Sequence, residues 1–376
     1  MKKKINLIFF HPYSALGGAD KSLFRLINNL NLSEFNINFI SLNKSILQKQ
    51  LPKINFIQLN SKRVIFSLFE LRKTIKKLIS NTSFKKNILI SNQNYANIIA
   101  FFASKEFSNL KRVFIERNHI DELFFKKNIL SYIKNMVIYF FVKTIYPKSD
   151  RIIAISKGLA KALKSISKRS KIQLIYNPAF DKEILSLSKK NINFNFKKKY
   201  KYIICVSRLT KRKGIEELIE SFYDCIKKNN NLRLILIGYG KNENNIRNLI
   251  KNHNINKYVK IIKNCNNPYP YIKKSHLFIL NSKYEGFANV IVESIFLDTP
   301  VISTRCNSGP SEILLNGNGG KLIKVYNNRG ILSKEILNFF KNKKILTKKN
   351  KVAKLNLQRF SIKKNVNQFK ELFINV

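Results

Sequence analysis

Short apolar runs, each bounded by polar residues and separated by helix-period segments, set the strongest limit on how this chain can fold. Candidate strands lie at residues 5–10, 36–42, 54–59, 88–90, 113–115, 152–156 and 174–176. They resume at 202–206, 234–237, 259–262, 276–280 and 301–304. Strands joined through helices rather than tight turns pair in parallel, and helices then cover both faces of the sheet. The pattern breaks once, over residues 179–199, which are polar, rich in Lys and Asn and poorly periodic. With 376 residues, 44% of them hydrophobic, the chain can build two cores. The expected division is a first domain over 1–185, a second over 199–357, and a closing helix over about 358–376.

Residues 281–313, NSKYEGFANVIVESIFLDTPVISTRCNSGPSEI, carry the densest chemistry. Glu285 and Gly286 follow an apolar strand, and Phe287-Ala288-Asn289 leads into a helix that ends before Pro300. Gly286 would permit a tight turn close to a ligand. The free N–H groups of a helix starting near Asn289 would form an anion seat. Glu293 lies four residues after Asn289, on the same helix face. A carboxylate beside an anion seat repels phosphate but accepts hydrogen bonds from a vicinal diol. A sugar nucleotide offers such diols on either side of a diphosphate.

With Glu285 and Glu293 separated by seven residues, a Pro-Val-Ile strand, and Gly309-Pro310-Ser311-Glu312-Ile313, the stretch resembles the retaining glycosyltransferases of family 4. The resemblance implies the GT-B fold: two Rossmann-like domains facing across a cleft, with a C-terminal helix crossing back to the first. The wording around Gly309 is most similar to the branch that adds hexoses or N-acetylhexosamines to bacterial surface glycans.

Other strand ends fit the same scheme. After the strand at 202–206, a loop holds Arg208, Lys211, Arg212 and Lys213, and Gly214 opens a helix. Arg208 can fork across two phosphate oxygens, with Lys213 as a point charge. The resemblance puts both on the donor diphosphate. No GxGxxG occurs, which weighs against a dinucleotide site. Gly238, Tyr239 and Gly240 would let a base or phosphate approach the backbone. Gly17 and Gly18 precede a helical pattern and read either as a phosphate loop or as a plain turn. The resemblance places that loop near the diphosphate and acceptor, and Asp20 stands where many members carry Glu. His119 leaves the strand at 113–115, where open α/β sheets bind ligands. The resemblance implies that it contacts the donor sugar, with Glu116 and Arg117 as weaker candidates.

The net charge of +50 suits acidic ligands, an anionic membrane surface or nucleic acid, and a Lys-Asn-Ile bias also fits an AT-rich genome. No nucleic-acid motif is present, so no nucleic acid is expected as a partner. The start, MKKKINLIFF, has the basic and apolar character of a signal peptide, but His11-Pro12 interrupts it and a first strand is expected. No apolar run is long enough to span a bilayer. Residues 124–146 set Ile129, Ile133, Val137, Phe140 and Phe141 against Lys126, Lys127, Lys134 and Lys143. They read either as a core-facing helix or as an interfacial helix on acidic lipid. Cys205, Cys225, Cys265 and Cys306 lack CxxC spacing and are expected as reduced thiols in a cytoplasmic protein.

The function expected is transfer of a hexose or N-acetylhexosamine from a nucleotide sugar, UDP-linked, to a glycan or polyprenyl-diphosphate-linked acceptor. Arg208 and Lys213 would neutralise the leaving diphosphate, Glu293 would hold the ribose and Glu285 would orient the sugar. Gly286, Phe287, Ala288 and Asn289 would line the donor seat. No Asp-x-Asp occurs, so no metal and no cofactor are expected. Docking on the inner face of the cytoplasmic membrane extends this reading. A nucleotide-sugar epimerase of similar fold, and a basic nucleic-acid- or membrane-binding protein without catalysis, are the alternatives. Two carboxylates also suit a glycoside hydrolase, which would not need the basic loop.

Overall fold

The computed structural model describes residues 4–13, 17–42, 50–51, 53–80, 83–124 and 129–376. Two compact units account for them: Met1–Pro178 with Ile362–Val376, and Ala179–Ser361. Lys126 and Lys127 lie outside the described residues.

In the first unit, β1 (Ile5–Phe10), β2 (Phe35–Ser41), β3 (Asn55–Gln58), β4 (Lys86–Asn92), β5 (Leu110–Glu116), β6 (Arg151–Ala154) and β7 (Ile172–Leu174) form one sheet. Its order is β3-β2-β1-β4-β5-β6-β7, with every pairing parallel. Helices cover it, so β1 is buried along its whole length and can be apolar at nearly every position. Asn6 is the exception. Its amide donates to Asn87 Oδ1 (2.9 Å), while its own oxygen accepts from Asn36 (3.0 Å) and Asn38 (2.9 Å). Asn38 in turn accepts from Asn55 (2.6 Å). This amide ladder across four strands resists a register slip, which would leave buried amides unpaired.

The second unit repeats the plan with β8 (Lys201–Val206), β9 (Leu232–Ile237), β10 (Val259–Ile262), β11 (Leu277–Leu280), β12 (Val301–Thr304) and β13 (Lys321–Ile323). The order β10-β9-β8-β11-β12-β13 is again parallel throughout. The chain runs outward from β8 to β10, then returns to the other side of β8 with β11. The winding therefore reverses between β8 and β11, and in the first unit between β1 and β4. Such switch points open a crevice at the carboxyl ends of the two strands.

The units divide at Pro178, so residues 179–185 and 358–361, placed with the first domain from sequence, pack in the second. Ala179 N–H donates to Phe360 O (3.0 Å), and Phe180 lies on Phe296 at 4.6 Å between ring centroids. The closing helix is shorter than expected, Ile362–Asn375, because a 3-10 turn over Leu357–Phe360 ends at an extended Ser361. β13 and helix Asn94–Ser104 were not anticipated; the helix is apolar around most of its surface and shows little periodicity.

Helix Ile362–Asn375 completes the first core. Phe373 is fully buried, with ring centroids 6.4 Å from Phe9 and 6.3 Å from Phe35, and Lys370 reaches Glu34 at 2.6 Å. Phe373→Ala should lower the stability of the first unit by about 3–5 kcal/mol, the usual cost of emptying a buried phenyl site. Denaturant unfolding measures it, and a loss below about 1 kcal/mol would show that the helix is not part of that core.

Candidate active site

The basic loop after β8 and the acidic loop after β11 meet at the switch point of the second unit. Lys211–Lys213 form a 3-10 turn, and Gly214, with φ of +58°, starts helix Ile215–Lys228. A Cβ at Gly214 would stand 2.2 Å from Asn281 O, so the two loops can approach only through a glycine. Asn281 donates to Gly214 O (2.9 Å), and Lys283 N–H donates to Arg212 O (2.8 Å).

Within this join, Lys213 Nζ donates to Glu285 Oε1, which also accepts from Ser282 Oγ at 2.6 Å. Both charged groups are buried. Burial raises the Glu285 carboxyl, but the Lys213 and Arg212 charges and the two donors outweigh it and hold the group below its ordinary value. Burial also pulls Lys213 below the ordinary lysine range, partly offset by Glu285. Arg208 is exposed and close enough to contribute to lowering Lys213, while Arg212 lies over the Tyr284 ring at 5.4 Å. Lys213 and Arg212 thus act on the Glu285 carboxylate, and Arg208 acts on Lys213.

Helix Asn289–Phe296 begins where expected, and both Asn289 and Glu293 are buried. Glu293 Oε1 accepts from Tyr269 Oη at 3.3 Å. The left-handed position at the turn is Ala288 (φ +77°), not Gly286, so the strain sits on the residue just before the helix. Phe287 is buried with its ring 5.1 Å from that of Phe360, and its backbone packs against Gly309, where a Cβ would stand 2.1 Å from Phe287 O. Gly238 and Gly240 have a reason inside the chain: Cβ atoms there would stand 2.0 Å from Ser207 O and 2.3 Å from Leu209 O. They let the loops after β8 and β9 interlock, while Tyr239 is exposed beside them.

At the strand ends of the first unit, His119 is buried with Nδ1 3.0 Å from Asp121 Oδ2. Burial lowers its pKa, and Asp121 partly restores it. Arg117 is buried too, donating to Asn92 Oδ1 and Asn177 Oδ1, each at 2.9 Å. Its contacts brace three segments, which suits a positioning role. Gly17 caps helix Gly18–Asn28 and donates its N–H to Asp20 Oδ2 (2.8 Å). Asp20 Oδ1 lies 2.7 Å from His11 Nε2, a buried pair that the sequence reading gave no role. The signal lay in the spacing: an N3 carboxylate after a glycine N-cap, and a histidine ending β1.

Residues 188–356 match the family Glycosyl transferases group 1. An N-acetylgalactosamine-N,N'-diacetylbacillosaminyl-diphospho-undecaprenol 4-alpha-N-acetylgalactosaminyltransferase of Campylobacter jejuni is 28% identical over 325 residues, 83% of this chain and 84% of the relative. The Staphylococcus aureus capsular polysaccharide biosynthesis glycosyltransferase CapM is 31% identical over 207 residues, 51% of this chain and 52% of its own. The chain is a glycosyltransferase. Its fold is GT-B: Anabaena HepE in complex with UDP and glucose superposes with a TM-score of 0.79 over 99% of this chain and 100% of that one, at 15% identity.

The glycosyltransferase also holds a carboxyl away from its usual state. Glu116, at the end of β5, is fully buried, and burial pushes it up to about 7 against hydrogen bonds from Tyr146 Oη (2.7 Å) and the N–H groups of Asn118 and Arg117. The folded value exceeds the unfolded one, so the associated stability is complete below about pH 4.5 and disappears as pH rises through about 7. The difference amounts to about 3 kcal/mol. Glu116→Gln, which cannot ionise, should therefore gain about that much relative to the wild type between pH 5 and pH 8. Urea unfolding at both values reads it, and an unchanged difference would show that Glu116 stays ionised.

Proposed function

We propose that this glycosyltransferase is a retaining, family 4-type enzyme. It moves a hexose or N-acetylhexosamine from a UDP-sugar to a glycan or polyprenyl-diphosphate-linked acceptor in surface-polysaccharide synthesis. The observation that carries the reading is the join of two loops at one switch point: the loop after β8, with Arg208, Arg212 and Lys213, meets the loop after β11, with buried Glu285, and helix Asn289–Phe296, with buried Glu293, follows directly. A diphosphate leaving group needs the cations; a ribose or hexose diol needs the acids. Support for the acceptor class comes from the Campylobacter relative, whose name specifies a diphospho-undecaprenol-linked acceptor.

In this reading Arg208 forks across the diphosphate as the glycosidic bond lengthens, stabilising charge that grows toward the transition state. Lys213 adds its field from below while holding Glu285. That carboxylate, ionised and fixed by Lys213 and Ser282, orients hydroxyls of the transferred sugar. Glu293 accepts from the ribose diol at the start of helix Asn289–Phe296. His119 contacts the donor sugar. Retention rests on the family resemblance, and side-chain cations take the place that a divalent ion fills in metal-using transferases. The enzyme works from the inner face of the cytoplasmic membrane, where a lipid-linked acceptor is held.

The roles separate by mutation. The buried Lys213–Glu285 pair makes Lys213→Ala a poor probe, because it would strand a carboxylate, at a cost of about 3–5 kcal/mol. Arg208 is exposed, so Arg208→Ala should fold normally and lose about 10²-fold or more in UDP release from a UDP-sugar. That release should depend on an undecaprenyl-diphosphate-linked acceptor and persist in EDTA. Donor interconversion without acceptor would point instead to an epimerase, and near-normal turnover by Arg208→Ala would remove the diphosphate assignment.

A further inference from the structure

Burial along helix Ile129–Ile145 distinguishes the two readings of residues 124–146. The helix buries Ile138, Val142 and Ile145. On the opposite side Ile129, Ile133, Val137 and Phe140 recur at four- and three-residue spacing and so form one stripe. All four are exposed, Ile129 at 72% and Phe140 at 59%, and Leu130, at 74%, widens the stripe. Tyr132, Ile133, Met136, Val137, Phe140 and Phe141 line an open apolar groove of about 380 Å³ beside it. A core-facing helix would hide these side chains and show only its lysines. This one shows both.

The surroundings identify what covers it. Exposed Lys134 and Lys143 border the stripe on its two sides, and the helix carries no acidic residue. A second segment has the same character: Ile65, Phe66 and Phe69 are exposed next to exposed Lys62, Arg63 and Lys73. Both segments pack against helix Asn94–Ser104. Contiguous apolar surface of this kind on a water-soluble face marks an interaction site. The cations that border the stripe of helix Ile129–Ile145, with no acid on that helix, suit an anionic lipid surface, which accepts the apolar stripe and the lysines together. Among the described residues no helix is long and apolar enough to cross a membrane, so the contact is one of lying in the interface.

We propose that helix Ile129–Ile145 docks this enzyme on anionic membrane with Ile129, Ile133, Val137 and Phe140 inserted below the lipid phosphates, and with Lys134 and Lys143 at phosphate level. Purely electrostatic docking, as composition alone suggests, would be abolished by salt. An inserted stripe leaves a salt-resistant part, because apolar burial is not screened. The proposal stands apart from the donor site and is tested without any sugar.

The chain contains no Trp, so a single Val137→Trp variant is a clean reporter, with exposed Leu355→Trp as its control in the second unit. Vesicles of phosphatidylglycerol and phosphatidylcholine should shift Val137→Trp emission to the blue, and lipids brominated on the acyl chain should quench it. The control should do neither. Ile133→Asn with Phe140→Asn, checked for folding by circular dichroism, should partition at least ~10-fold less. Part of wild-type binding should survive ~1 M salt, where the Debye length is about 3 Å. Unshifted emission together with binding abolished by salt would overturn insertion. A concentration-dependent blue shift without vesicles would also overturn the proposal, assigning the stripe to a second copy of the chain.

Discussion

The buried contact between Lys213 and Glu285 is the interaction on which the switch point of the second unit depends. It joins the loop leaving the first strand of the second unit to the loop leaving the strand beside it, across the point where the winding reverses. Backbone and amide bonds from Asn281 and Lys283 fix the same join, and Gly214 supplies the clearance. A buried ion pair contributes little net stability, since desolvation offsets its attraction. Its value here is positional. It keeps a carboxylate ionised and aimed in a place where burial alone would protonate it.

The rest of the second unit follows from that arrangement. The strained Ala288 stands three residues after Glu285 and directly before helix Asn289–Phe296, in which Asn289 and Glu293 are buried. Ser308 Oγ donates to Glu285 O at 2.6 Å, and Thr304 Oγ1 to Ser282 O at 2.6 Å. The acidic turn is therefore held from the next strand as well. Such bracing is what a site needs if its polar groups are to meet a diphosphate without reorganising. The first unit shows a comparable economy, with Arg117 tying Asn92 to Asn177 and Asp20 serving both Gly17 and His11.

Much of this was legible in the residues, for identifiable reasons. Parallel strands buried on both faces are nearly all apolar, so β1, β8 and β11 announce themselves. The helix at Asn289 was readable from the glycine turn before it and Pro300 after it. What stayed hidden depends on contacts distant in sequence. Nothing local says that Lys213 spends its charge on Glu285, 72 positions away, or that Gly238 exists for Ser207. The apolar stripe of helix Ile129–Ile145 fitted a core-facing and an interfacial helix alike because both have the same period; only burial shows which side faces inward. The His11–Asp20 pair stayed hidden because His11 reads as an interruption after the first strand, and Asp20, standing where many members carry Glu, offers no role by resemblance.

The crevice between β8 and β11 is proposed to hold a nucleoside diphosphate. A crystal structure of the protein soaked with UDP tests it most directly. It should show the ribose hydroxyls within hydrogen-bond distance of the Glu293 carboxylate and the diphosphate against Arg208, with the Lys213–Glu285 contact intact. Density for the nucleotide elsewhere, or a ribose out of reach of Glu293, would contradict it.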